Sequence, residues 1–174
     1  MKSRRIYFLT GNVHTGKTTI LLSVCRELKA KDMKISGLLS LSRYDGGKIL
    51  GYDGYDLSTE ETFPLARIRS DAAGGLRCGR FFFFPEGQNK ARQALLKPGN
   101  FDLTAVDEMG PLELNGQGYW QPVQELLTLD RSLMFVIRKP LLHEFTQILP
   151  LPDLIFDMSQ KNIEKSIQDT ILNK

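Results

Sequence analysis

The sequence lacks the marks of several specialised protein classes. Its 174 residues include only two cysteines, Cys25 and Cys78, and these form neither a C-x-x-C pair nor a Cys/His ligand pattern. Each is therefore expected as a reduced, packed thiol rather than a redox centre or zinc ligand. Two histidines, His14 and His143, stand far apart without metal-ligand company. No stretch approaches the ~20 apolar residues that span a bilayer. The phenylalanine run Phe81–Phe84, closed by Pro85, has only a strand's length. Charge of one sign is also scarce. Lys plus Arg number 23 against 20 Asp plus Glu, a net of +3, and no block of five like charges occurs. A nucleic-acid binder would concentrate its basic residues in a stripe, so no nucleic-acid partner is expected. The basic start Met1-Lys2-Ser3-Arg4-Arg5 leads into Ile6–Leu9, far too short for a signal peptide's apolar region. The expectation is a cytoplasmic protein with no membrane partner.

What is present is globular chemistry. Apolar residues make up 41% and charged residues 25%, near the usual values, which excludes a disordered tail, a collagen and a coiled coil. At about 150 residues per domain the length predicts a single domain over residues 1–174.

Strand-like and helix-like segments alternate. Arg5–Leu9 reads as a buried first strand ending in Thr10-Gly11. From Lys17 to about Lys31, Ile20, Leu21, Val24 and Leu28 recur at helical spacing. Met33–Ser42 reads as a strand, and Asp45-Gly46-Gly47 turns it into Lys48–Asp56 as a hairpin. Pro64–Arg69, Phe81–Phe84, Phe101–Asp107, Ser132–Ile137 and Asp153–Asp157 read as further strands, with Ser70–Gly79 as a glycine-rich loop. Helices are predicted over Gln88–Lys97, Gln121–Leu129 and about Ser159–Leu172, the last with Ser159 as N-cap. Continuous apolar strands separated by helices predict an α/β protein with a mostly parallel sheet covered on both faces, plus one early antiparallel hairpin.

One motif dominates. Gly11-Asn12-Val13-His14-Thr15-Gly16-Lys17-Thr18 fits G-x-x-x-x-G-K-[ST] without a mismatch, after a predicted strand and before a predicted helix. Gly11 and Gly16 let successive N–H groups curl around an anionic oxygen, and the helix start adds the positive end of its dipole. Lys17 places a cation on the terminal phosphates, Thr18 can ligate the Mg²⁺ that bridges them, and Thr19 can reach the α-phosphate. The expected ligand is a nucleoside triphosphate such as ATP or GTP.

Such a cradle needs an acidic partner for the metal. Asp107 supplies it at the end of the apolar strand Phe101–Asp107, on the edge where open α/β sheets bind ligands. Glu108, directly after it, can act as a general base, aiming either a water or an alcohol acceptor at the γ-phosphorus. Arg138 and Lys139 follow the strand Ser132–Ile137, which makes Arg138 a candidate γ-phosphate sensor. Arg67, with Arg69, Arg77 and Arg80, surrounds the glycine-rich loop as a second candidate set of phosphate contacts.

Four segments together resemble the small P-loop nucleoside-triphosphatase family that includes cancer-related nucleoside-triphosphatase and its archaeal and bacterial relatives. They are Phe8–Thr19; Gly37-Leu38-Leu39 with Asp45-Gly46-Gly47 and Gly51-Tyr52-Asp53; Pro64–Arg67 with Gly79-Arg80-Phe81; and Asp107-Glu108-Met109-Gly110-Pro111-Leu112-Glu113-Leu114. The resemblance implies a three-layer α/β/α P-loop fold and a magnesium-dependent enzyme converting NTP to NDP and phosphate with loose base choice. It also implies Glu108 as general base and Lys17 as stabiliser of the transferred phosphate. Pro111, Ile49 and Ile163 stand where many members carry cations. A kinase using the same cradle, or a regulatory nucleotide switch, are the rival readings. A GTP-only switch is disfavoured, because Asn89-Lys90-Ala91-Arg92 ends in Arg where a guanine-reading N-K-x-D motif has Asp.

Overall fold

The computed structural model describes residues 4–68 and 74–173. Arg69 and the first part of the glycine-rich loop therefore lie outside the described residues. Strand β1 (Ile6–Gly11) leads through the glycine motif into helix α1 (Lys17–Lys29), followed by β2 (Ile35–Asp45), β3 (Lys48–Asp56) and β4 (Thr62–Ile68). Next come β5 (Leu76–Cys78), β6 (Phe81–Phe83), α2 (Pro85–Leu95), β7 (Leu103–Met109), α3 (Pro111–Leu114) and α4 (Trp120–Leu126). The chain closes with β8 (Ser132–Arg138), α5 (Leu142–Ile148), β9 (Leu154–Asp157) and α6 (Ile163–Leu172).

The strands form one sheet in the order β5-β6-β4-β3-β2-β7-β8-β1-β9. From β2 to β9 the neighbours run parallel, and from β2 outward through β3, β4, β6 and β5 they run antiparallel. The sheet is thus mixed rather than mostly parallel. The predicted hairpin is only the first turn of an antiparallel meander, and β5 forms inside the segment expected to be loop. The physical reason is connection length. The links between β3, β4, β5 and β6 are too short to carry the crossover helix that a parallel pair requires.

Alternation along the central strands splits their side chains between two apolar clusters. Tyr7 and Leu9 of β1 with Met134 and Val136 of β8 face one cluster, where α1 adds Leu21, Val24 and Leu28. Helix α6 adds Ile163, Ile167 and Ile171 to that cluster, a stripe at intervals of four residues. Ile6 and Phe8, with Leu133, Phe135 and Ile137, face the other cluster under α2, α4 and Phe145 of α5. Full burial of each such side chain contributes roughly 1.5–3 kcal/mol. This two-sided burial explains why β1 and β8 read as unbroken apolar runs. It also fixes the C-terminal ends of β1, β7 and β8 on one edge.

Several boundaries shift by a few residues, as where α2 starts at Pro85 rather than Gln88, and the C-terminal region departs further. Helix α6 begins at Ile163 behind a left-handed Asn162 (φ 55°), not at Ser159. The Ser159 N–H instead donates to the Asp157 carboxylate at 2.9 Å within a tight turn. Helix α5, which the sequence reading did not anticipate, is anchored by fully buried Phe145. No described helix is long and apolar enough to cross a membrane.

Gly37 of β2 pairs with Ala105 of β7 at φ +121°. A Cβ at Gly37 would sit 2.0 Å from the Ala105 carbonyl oxygen. Both partners are backbone in the middle of the sheet, so neither can yield. Gly37→Ala is expected to lose about 3 kcal/mol or more, measured by urea denaturation.

Candidate active site

The site assembles where β1, β7 and β8 end. Strand β8 lies between β1 and β7. The glycine motif and Asp107 therefore leave strands two places apart, roughly 10 Å at the usual strand spacing. Helix α1 closes that gap: the Thr18 hydroxyl donates to Asp107 Oδ2 at 2.7 Å.

The loop from residue 12 to 16 is shaped by left-handed residues. His14 (φ 62°) and Gly16 (φ 80°) both occupy that region, and Gly16 caps α1 with no side chain to cover the free N–H groups. Those amides remain open to an anion. Gly11 itself continues β1, and its smallness serves close packing, since a Cβ would come within 2.8 Å of Met158. The Thr15 hydroxyl donates to the Asn12 carbonyl at 2.8 Å. Asn12, Val13, His14, Thr15, Gly16 and Thr19 are exposed, whereas Lys17 is buried. The Lys17 ammonium folds over the loop and donates to the carbonyls of Asn12 (2.6 Å) and Gly11 (3.2 Å). Burial lowers its pKa, while the carboxylates of Glu108 and Asp107 oppose that shift.

Asp107 is wholly buried. Besides the Thr18 hydroxyl it accepts the N–H of Ser40 (3.1 Å) and, on Oδ1, the N–H of Glu108 (2.9 Å). Burial first, then the Glu108 carboxylate, push the Asp107 carboxyl well above its ordinary range despite these three donors. A divalent cation would reverse that balance. Among the described residues no group of three His, Cys, Asp or Glu gathers as a self-sufficient metal cage. Mg²⁺ requires none, since it is held by one or two carboxylates with substrate phosphates and water completing the shell. The adjoining oxygens of Thr18 and Asp107 fit that ion.

Glu108 occupies a break in the sheet. Pairing of β7 with β8 shifts register between Val106 and Met109, and Glu108 takes φ +59°. Such a left-handed non-glycine residue costs of order 1–3 kcal/mol and is characteristic of active sites. The bulge keeps Asp107 directed inward and turns Glu108 toward Arg138, whose Nη2 lies 2.9 Å from Glu108 Oε2. Burial opposes the charge on Arg138, but the Glu108 carboxylate prevails and the guanidinium pKa is raised.

The other candidate cations are engaged elsewhere. Arg67 donates to the carbonyls of Tyr52 (2.7 Å) and Ala66 (2.8 Å) and pairs with Asp53. Arg67 does not line the phosphate cleft. Lys139 pairs with Asp157 at 2.8 Å. Arg77 and Arg80 stack over Phe82 and Phe81 at 5.4 and 5.2 Å from the ring centroids. Cys25 is buried, with its thiol pushed up to about 12 by desolvation, as expected of an inert packed cysteine.

The cleft over the glycine motif has a volume of about 370 Å³ and is walled by residues 13–19 together with Leu41, Tyr44, Tyr52, Glu108 and Arg138. Some contributors were not anticipated, Tyr52 and Glu113 among them. Tyr52 enters only through the register of β3, which the sequence does not reveal. Buried Glu113 accepts the N–H of Gly110 and of Tyr119, both at 2.9 Å, and so fastens the segment after β7. Its signal was legible: Gly110-Pro111-Leu112-Glu113 places Pro at the first position of α3 and at the third a Glu able to accept the N-cap amide.

An anion cradle opening a helix, beside a buried carboxylate on a parallel sheet edge, places the protein among P-loop nucleotide-binding proteins. A family model described as NTPase matches residues 6–172, and the chain belongs to that family. Nucleoside-triphosphatase THEP1 of Methanocaldococcus jannaschii is 26% identical over 169 residues, covering 96% of this chain and 95% of that protein. The protein of the same name from Sulfolobus acidocaldarius is 30% identical over 139 residues, covering 79% and 78%. The solution structure of a human cancer-related nucleoside triphosphatase superposes with a TM-score of 0.73 at 22% identity, covering 98% of this chain and 97% of that one. This last likeness establishes the fold.

The bulge geometry yields a stability prediction. In Glu108→Asn, the new residue tolerates the left-handed conformation and no longer repels Asp107. The lost ion pair is partly exposed on both sides and was worth only about 0–1 kcal/mol. Chemical denaturation is expected to show the variant at least as stable as wild type, by up to about 1 kcal/mol.

Proposed function

We propose that this protein hydrolyses nucleoside triphosphates to diphosphate and phosphate in a single P-loop domain, with the glycine motif as the phosphate cradle. The reaction class follows from membership of the NTPase family. The observation that carries the residue roles is the convergence of Lys17, Thr18, Asp107, Glu108 and Arg138 on one sheet edge. The apolar clusters on both faces of the parallel half support the three-layer α/β/α reading for that half.

In this reading the amides of residues 12–19 surround the phosphates. Lys17 exchanges the loop carbonyls of Gly11 and Asn12 for β- and γ-phosphate oxygens. It is already buried and already bent over the loop, so little ordering entropy remains to be lost on binding. Thr18 and Asp107 hold Mg²⁺, which when bound offsets phosphate charge. Glu108 takes a proton from the attacking water, and its bulge aims the carboxylate outward from the strand end that buries Asp107. Arg138 steadies the Glu108 carboxylate and supplies positive charge to the transferred phosphoryl group. Arg67, held by Asp53, leaves the sensor role to Arg138. Leu22, Leu41 and Tyr44 in the phosphate cleft offer surface that meets a base by its face rather than its edge, which supports loose base choice.

Phosphate release from ATP, GTP, CTP and UTP with Mg²⁺ tests the assignment. Lys17→Ala should cut turnover at least about a hundredfold. Glu108→Gln should bind ATP normally in calorimetry while losing roughly 10²–10⁴ in rate. Wild-type hydrolysis by Lys17→Ala would remove the cradle from the mechanism, and by Glu108→Gln would place the base elsewhere.

A further inference from the structure

A second cavity of about 360 Å³ lies directly behind the phosphate cleft. Tyr52, Glu108 and Arg138 belong to the walls of both, so the carboxylate assigned as the base borders two chambers. One chamber holds the phosphate cradle. The other is lined by Leu65, Phe81, Phe83, Leu112 and Tyr119, together with Tyr52.

Hydrolysis gives no reason for this second chamber. A water molecule fills about 30 Å³ of liquid volume, an order of magnitude less than the space present. The volume falls instead within the range of small-molecule sites, which combine apolar walls with a few polar groups. The walls are rich in rings: Tyr52, Phe81, Phe83 and Tyr119 all line the cavity, with Tyr52 and Phe81 meeting as a tilted pair at 5.0 Å and the Arg80 guanidinium lying over Phe81. Aromatic rings and a stacked guanidinium are the surfaces on which heterocycles bind. Gln88 of α2 adds a carboxamide that can both donate and accept, suited to the edge of a heterocycle. Glu113 also borders the cavity, but its two oxygens are occupied by the Gly110 and Tyr119 amides.

We propose that this cavity is an acceptor site for an aromatic alcohol of nucleoside size, making the protein a phosphotransferase for which water is the default acceptor. The proposal rests on the cradle and base assigned above. The acceptor hydroxyl gives its proton to the Glu108 carboxylate, and its oxygen forms a bond to the γ-phosphorus. The bond from that phosphorus to the bridging β-phosphate oxygen breaks, and the electron pair leaves with the nucleoside diphosphate. Glu108 then releases the proton to solvent. Occupancy of the apolar chamber displaces water from the far side of the carboxylate, so the bound alcohol competes with hydrolysis.

The test follows label from γ-³²P-ATP with Mg²⁺ and millimolar adenosine, guanosine, cytidine, uridine or pyridoxine, with ribose and glycerol as non-aromatic alcohols. At least one aromatic alcohol should take label about tenfold faster than glycerol does, while inorganic phosphate release falls. Phe83→Ala should raise the acceptor KM about tenfold and move the ATP KM less than about twofold. Gln88→Ala, on a helix surface, provides the same split should Phe83→Ala fail to fold. Label passing only to water with every alcohol, transfer no better than to glycerol, or an acceptor KM unmoved in both variants would overturn the proposal. Lys17→Ala separates the two readings. Loss of hydrolysis in that variant without transfer in wild type refutes the acceptor site alone, whereas retained hydrolysis refutes the cradle itself.

Discussion

A carboxylate with no accessible surface, Asp107, organises the site. Desolvation disfavours its charge, and each of its hydrogen-bond donors is neutral: the Thr18 hydroxyl and the amides of Ser40 and Glu108. Those donors come from α1, β2 and β7, so this one side chain ties the helix of the phosphate cradle to the centre of the sheet. An arrangement that leaves a buried anion short of positive charge is poor for stability and well suited to receive a cation. The Lys17 ammonium is likewise buried beside carboxylates it does not touch, resting on loop carbonyls instead. Both groups are held in place before any polyphosphate arrives, which is electrostatic preorganisation in its simplest form.

The strain at Glu108 belongs to the same design. Two successive residues of a regular strand point to opposite faces, so an unbroken β7 could not present Asp107 to α1 and Glu108 to the cleft edge with their backbone amides in the required places. The bulge solves this by turning Glu108 left-handed, where its N–H folds back onto Asp107 Oδ1 and its side chain meets Arg138. Stability is surrendered for the aim of one carboxylate. The adjoining segment is then secured by Glu113, whose buried oxygens bind the amides of Gly110 and Tyr119. A charged group is retained in the interior there because it satisfies two backbone donors at once.

How much of this was legible depended on how local the cause was. The cradle was readable because its chemistry lies in eight consecutive residues, and Asp107-Glu108 because an apolar strand announces its own end. Strands β1 and β8 declared themselves through two-sided burial. The antiparallel meander was misjudged because short polar links such as Leu57–Glu61 look like any turn, and only pairing shows that β3, β4, β6 and β5 extend one sheet. By sequence Arg138 was a candidate γ-phosphate sensor and Arg67 one of a second set of candidate phosphate contacts around the glycine-rich loop. Their difference is tertiary: Asp53 lies across from Arg67, while Arg138 ends the strand wedged between β1 and β7. Ser159 resembled a helix cap, but the Asp157 turn captured its amide first.

The mixed sheet divides labour between its halves. The parallel half supplies the groups assigned above to phosphate and metal, because parallel strands end together and bring helix N-termini to the same edge. The antiparallel half supplies Tyr52, Leu65, Phe81 and Phe83, which wall the second chamber. The halves meet at Tyr52, Glu108 and Arg138, which wall both chambers. The aromatic side chains of the meander thereby border the same carboxylate that the parallel half presents to the phosphate cleft. On the acceptor-site proposal, a base bordering both chambers serves either nucleophile, and the aromatic walls decide which one reaches the phosphorus.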